Sequence, residues 1–177
     1  IVAHQPGNVP RRQVGDDPAG GKALAALRLH RHAAALLHDD ALDFVAEKHL
    51  PGDVLRTRLD EAPLAADLAE FSRQIIFGVL PLTHDLDQLI AKYAPEWPLD
   101  QIAAIDRNIL RIAFWEFAVY RETPVKVAIN EAVELAKLFG SDSAPRFING
   151  VLGTLAENVN EIQQVIKNRI AHETKLE

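Results

Sequence analysis

Apolar residues recur at three- and four-residue spacing along most of this chain, the period of helices buried on one side. Between Lys22 and Leu50, Leu29, Ala33, Leu36, Leu37, Phe44 and Val45 can share one helical face before Pro51-Gly52 breaks the pattern. Leu64 to Leu80 and Thr83 to Tyr93 predict two more helices, separated or kinked at Pro81, which has no N–H to donate. Pro95 and Pro98 then frame a turn around Trp97. Leu99 to Tyr120 is the clearest helix, with Ile102, Ile105, Ile109 and Ile112 in a three-four-three rhythm.

Thr123-Pro124 predicts the next helix start, with Thr123 as N-cap and Pro124 in the first helical position. Gly140 suits a left-handed C-terminal position. Ser143-Ala144-Pro145-Arg146 opens a last helix, expected to run past Ala156 to about Ile170. No run of alternating β-branched residues suggests a sheet. The expected fold is all-α, a packed bundle of about seven helices. Ahead of it, Pro6, Gly7, Pro10, Gly15, Pro18, Gly20 and Gly21 predict a flexible arm over residues 1–21.

Composition narrows the function classes. The chain has 177 residues and no cysteine, which excludes a disulfide or a thiolate metal site. No stretch approaches the roughly 18 apolar residues of a membrane span, and IVAHQPGNVPRRQ lacks the pattern of a secretory signal. The simplest reading is a cytoplasmic protein. Methionine is absent too, so Ile1 is not the initiator of an open reading frame as usually written. A net charge of −6 argues against indiscriminate coating of nucleic acid. Residues 1–37 hold five basic residues against two acidic ones, net +3, which leaves −9 for the rest and allows a local anion-binding region.

The motifs of catalysis are missing: there is no P-loop, GxGxxG, HExxH or GxSxG. His30 and His32 point to different sides of a helix, so with His38 they read as solvated rather than metal-binding. Glu131 and Glu134 lie one turn apart, a spacing more usual for a solvent face, and Lys137 is placed to pair with Glu134. Arg107 and Arg111 share a helical face, where like charges mildly destabilise the helix. Either an anion lies between them or each pairs with a carboxylate elsewhere; Asp106 could compensate one. Phe147 follows Arg146 near a helix start, where free N–H groups favour phosphate and an aromatic beside an arginine suits an unpaired base. With Ile148, Val151 and Leu152 it could equally form a buried stripe. Tyr93 and Trp97 are open in the same way, between core plug and stacking platform.

The order of residues goes further. Ile109-Leu110-Arg111-Ile112-Ala113, Glu116, Pro124, Lys126 to Ala132, Glu134 to Lys137, Phe139-Gly140 and Phe147-Ile148-Asn149-Gly150-Val151-Leu152 resemble the C-terminal helices of the NusB family. The likeness is strongest over 107–156 and extends more weakly back to about residue 70. It implies two small helical subdomains, placed here at 22–93 and 94–177. It also implies transcription antitermination without catalysis or cofactor: binding of boxA-type single-stranded RNA together with NusE, a small-subunit ribosomal protein, on elongating RNA polymerase. A membrane or a small-molecule substrate is not implied. Carried to matching positions, the RNA contacts are Arg11, Arg12, Tyr93, Arg111, Lys126 and Phe147, and the NusE-facing carboxylates are Asp106 and Asp100. The first helix departs from the family pattern after Arg11-Arg12-Gln13, which fits either a divergent member or a frame-shifted segment over residues 14 to about 40. Two other readings stay open: an accessory domain of an rRNA cytosine-5 methyltransferase, and a fold kept for protein interaction alone.

Overall fold

A computed structural model of the protein describes residues 51–61 and 63–173. The expected arm, Arg11, Arg12, the three histidines and the helix before Pro51 lie outside them. The described residues form helices α1 (Pro51–Glu61), α2 (Ala66–Val79), α3 (Thr83–Tyr93), α4 (Ala104–Trp115), α5 (Val125–Phe139), α6 (Ala144–Glu157) and α7 (Val159–Glu173), with no strand among them. The all-α expectation holds. No helix among the described residues is long and apolar enough to cross a membrane.

α4 organises the rest. The isoleucine rhythm predicted one buried face, yet every residue from Asn108 to Ala118 is buried, as in a helix surrounded by others. α5 and α6 form an antiparallel hairpin against it, and α2 and α3 cover its other sides. Phe114, Phe117, Ile109, Leu110, Ile148 and Leu152 are among the largest fully buried side chains of a core that draws on α2 through α7. Burying one such side chain contributes about 1.5–3 kcal/mol. α2 approaches α4 closely because Gly78 lies against the Trp115 ring, whose indole nitrogen would be 2.7 Å from an added Cβ.

Several boundaries differ from the spacing. Pro51-Gly52, expected to end the pattern before them, are the first residues of α1; proline fits a first helical position because the N–H it lacks would be unpaired there anyway. At Pro81 a 3₁₀ turn (Leu80–Leu82) separates α2 from α3, and the Thr83 hydroxyl donates to the carbonyls of Val79 (3.2 Å) and Leu80 (2.9 Å). The long helix from Leu99 to Tyr120 is three elements: a 3₁₀ turn at Leu99–Gln101, α4, and a π-helical turn at Glu116–Tyr120. Ile102 interrupts it in an extended conformation, ψ 130°, and turns its side chain into the interior. The π turn closes on Arg121, which takes the left-handed conformation at φ 64°.

Pro124, not Thr123, is the N-cap of α5; the Thr123 hydroxyl donates instead to the buried Glu116 carboxylate at 3.2 Å. The last predicted helix divides at Asn158, whose side-chain amide donates to the Thr154 carbonyl at 2.9 Å. Gly140 is not left-handed. It is extended at φ −88° and ψ −179°, and its need for glycine is steric: a Cβ would lie 2.5 Å from the Ala144 Cβ, 2.8 Å from the Ala136 carbonyl and 2.9 Å from Asp106 Oδ1.

Candidate nucleic-acid interface

A groove of about 770 Å³ lies where the turn after α3, the N-terminal end of α4 and the start of α6 meet. Tyr93, Trp97 and Phe147 supply its aromatic walls, Arg146 and Glu96 its charged rim, and Asp106 a carboxylate at the wall. The Pro-bounded turn carries Trp97 out from the body, 51% exposed. Its ring meets Phe147 edge-on, centroids 5.1 Å apart at 65°. Phe147 is half-buried while Ile148, Val151 and Leu152 are buried, so α6 gives these three, with Ala144 and Leu155, to the core, and Phe147 packs at the core's edge and lines the groove.

Tyr93 is half-buried and has a cation of its own. Lys92 Nζ lies 4.7 Å from the Tyr93 ring centroid, donates to the Tyr93 hydroxyl at 3.1 Å, and pairs with Glu161 of α7 at 2.9 Å. The hydrogen bond to Glu161 raises the Lys92 pKa, and the same bond lowers that of Glu161. Both groups are solvent-exposed, so the pair positions the ammonium beside the ring and adds little stability.

Asp106 sits in the first turn of α4, where the helix dipole favours a carboxylate. It is only 8% exposed, and its Oδ1 has no hydrogen-bond partner. Burial raises its pKa above the ordinary aspartate value. It compensates neither arginine of its helix. Arg107 donates from Nη1 to the Leu99 carbonyl at 3.2 Å, bracing the 3₁₀ turn, and its buried Nε has no partner.

The expected site residues thus divide. Tyr93, Phe147 and Asp106 come together at the groove. Asp100 is exposed in the 3₁₀ turn next to it. Lys126 is exposed in the first turn of α5, about 20 Å along that helix from the end that borders the groove. Arg111 is 9% exposed and its guanidinium is engaged: Nε and Nη2 donate to Asp87 at 2.7 and 2.6 Å, and Nη1 to Asn108 at 3.0 Å. Of the two readings of Arg111, pairing with a carboxylate elsewhere is the one the fold adopts. Lys137 pairs with Glu134 at 2.6 Å, as the spacing predicted, but Glu131, expected on the same solvent face, is buried. No cluster of metal-ligating side chains occurs among the described residues. Lys92 escaped the motif reading, although a basic residue next to an aromatic, the pattern that drew attention to Arg146-Phe147, also occurs at Lys92-Tyr93.

Comparison with known proteins agrees with this architecture. The model of the NusB family matches residues 23–157, so the likeness begins well ahead of residue 70, where the motifs alone had placed it. A transcription antitermination protein NusB from Chloroflexus aggregans is 47% identical over 137 residues, covering 76% of this chain and 91% of the relative. Among solved structures, T. maritima NusB is similar at 28% identity and a TM-score of 0.65, over 74% of this chain and 89% of its own. A structure of antitermination factors NusB and NusE in complex with dsRNA shares the fold at 20% identity and a TM-score of 0.63, over 75% of this chain and 97% of that one.

Proposed function

We propose that this chain, which belongs to the NusB family, is a transcription antitermination factor that binds boxA-type single-stranded RNA together with NusE on elongating RNA polymerase. The observation that carries the RNA reading is the groove, where three aromatic rings share a wall with Arg146, next in sequence to Phe147, and Lys92 stands on the Tyr93 ring just outside the lining. Aromatic faces stack unpaired bases and cations hold the phosphates between them, so this arrangement suits a single strand. Such chemistry needs no catalyst, and the protein acts as a binding factor, not an enzyme, in the cytoplasm.

Tyr93 and Phe147 are the stacking residues in this reading. Lys126 holds the strand farther along α5, and Arg11 and Arg12 add phosphate contacts on the strength of the family pattern. Arg111 acts behind the surface: its two bonds to Asp87 tie α4 to α3, the helix that ends in Tyr93. Asp106 at the groove wall, and beside it the exposed Asp100, are the carboxylates that face NusE in this reading. The similarity to an antitermination protein over 91% of that protein's length favours this reading over a methyltransferase accessory domain.

The test is binding of a boxA RNA and a scrambled control, with and without NusE, across a salt series. Selective binding that NusE strengthens and salt weakens is the expected result. Replacing Arg11 and Arg12 by alanine should flatten the salt dependence by about two phosphate contacts. Binding to NusE with no preference for boxA would leave a protein-interaction fold and sink the RNA reading.

A further inference from the structure

We propose that Glu161 is a built-in competitor of RNA: it occupies the place on Lys92 and Tyr93 that a phosphate would take, and so lowers the affinity for the strand. This rests on the RNA reading above and adds to it a residue that sets how tightly RNA is held. Glu161 lies beyond the family-matched segment, which ends at residue 157, on α7, which begins at Val159. Ile162 and Ile166, both buried, anchor that helix on the body. Gln163 adds a bond from its side-chain amide to the Phe117 carbonyl at 3.3 Å. With α7 so fixed, Glu161 reaches Lys92 on α3, 69 residues earlier in the chain.

Two donors converge on the carboxylate. Lys92 Nζ lies 2.9 Å from Glu161 Oε1, and from beside the Tyr93 ring it also donates to the Tyr93 hydroxyl at 3.1 Å. Hydrogen bonds from Lys92 and then from Tyr93 lower the Glu161 pKa, so the carboxylate is fully charged at neutral pH. An ammonium and a phenolic O–H directed at one oxyanion are donors that also suit a phosphate. Here the oxyanion belongs to the chain itself. An RNA phosphate arriving beside Tyr93 must displace it or be repelled by it.

Exposure lets the strand displace it. The side chains of Lys92 and Glu161 are 54% and 60% exposed, and an ion pair so open to water is weak. The Arg111–Asp87 pair, at 11% and 23%, is closed off and holds α4 to α3, so it does not exchange in this way. A strand already stacked on Tyr93 presents its phosphates to Lys92 at high local concentration and takes the ammonium over. Were Glu161 instead a brace that holds Lys92 ready for RNA, its loss would weaken binding. Competition and bracing therefore predict opposite signs.

The experiment measures affinity of the full chain for a boxA RNA, by fluorescence anisotropy at about 0.15 M salt. Wild type is compared with Glu161→Gln, Lys92→Ala and the double variant. Glu161→Gln keeps the size of the side chain and the anchoring of α7, and should bind about two- to fivefold tighter than wild type. In the Lys92→Ala background the same substitution should change affinity by less than about 1.5-fold, because the cation it frees is gone and the residual repulsion is screened. Equal or weaker binding by Glu161→Gln would overturn the inference, return Glu161 to a bracing role and leave RNA binding intact. A gain of full size without Lys92 would also overturn it, since the carboxylate would then act through general repulsion. Failure of wild type and Glu161→Gln alike to bind would remove the RNA reading along with this one.

Discussion

The middle of α4 and its N-terminal end treat a buried charge in opposite ways. At Arg111 three nitrogens meet three oxygens, two from Asp87 on α3 and one from Asn108. Five residues earlier, Asp106 is buried to the same degree and its Oδ1 has no partner. A saturated buried ion pair gives the fold its register. A buried carboxylate oxygen without a donor, packed against Gly140, weakens the fold instead. The middle of the helix thus holds a charge that the fold satisfies, and its N-terminal end one that it does not.

That contrast can be broken most severely at Arg111. Arg111→Ala should destabilise the protein by about 3–5 kcal/mol, because Asp87 is left partly buried and unpaired; denaturant unfolding measures it. A loss below about 1 kcal/mol would show the pair to be a surface ornament. Next is Gly140→Ala, expected to cost about 1–3 kcal/mol by forcing apart Ala144, the Ala136 carbonyl and Asp106. An unchanged melting temperature there would mean that the α5–α6 turn yields freely.

Asp106→Asn should move stability the other way. Burial raises the folded-state pKa of this acid, so its charged form penalises folding above the ordinary aspartate pKa, and the penalty disappears once both states are protonated. The variant should therefore melt higher than wild type near neutral pH, with the gain shrinking as pH falls through the acidic range. A constant gain at all pH values would show that the carboxylate charge is not the cause. The smallest effect is expected at Lys92→Ala or Glu161→Gln: no measurable change in melting temperature, since both groups are exposed, but weaker RNA binding for the lysine variant.

Much of the fold was legible because periodicity and proline report on local backbone. Thr83–Tyr93 matches its expected span, and α5 ends at Phe139 just before Gly140 as the pattern required. The errors share a cause. Ile102 looked like one more apolar position of a continuous helix, but its burial depends on an extended backbone that no local preference signals. Thr123 had the chemistry of an N-cap and gave its hydroxyl to Glu116, a group seven residues away that the tertiary fold brought close. Gly140 was rightly singled out for the wrong reason, since spacing cannot reveal that Asp106 and Ala144 crowd the same point.

The candidate site shows the same division. Residue order alone identified the family and drew attention to Tyr93, Asp106 and Phe147, because an ordered match records many positions at once. Helix existence and the all-α class also followed from the sequence, since a 3.6-residue repeat of apolar positions is a property of the chain itself. Only the tertiary structure decided that Arg111 is engaged by Asp87, that Lys92 stands on the Tyr93 ring, and that Asp106 lacks a partner. Each of those outcomes depends on which side chain arrives opposite another from a distant part of the chain, and that information exists only once the helices have packed.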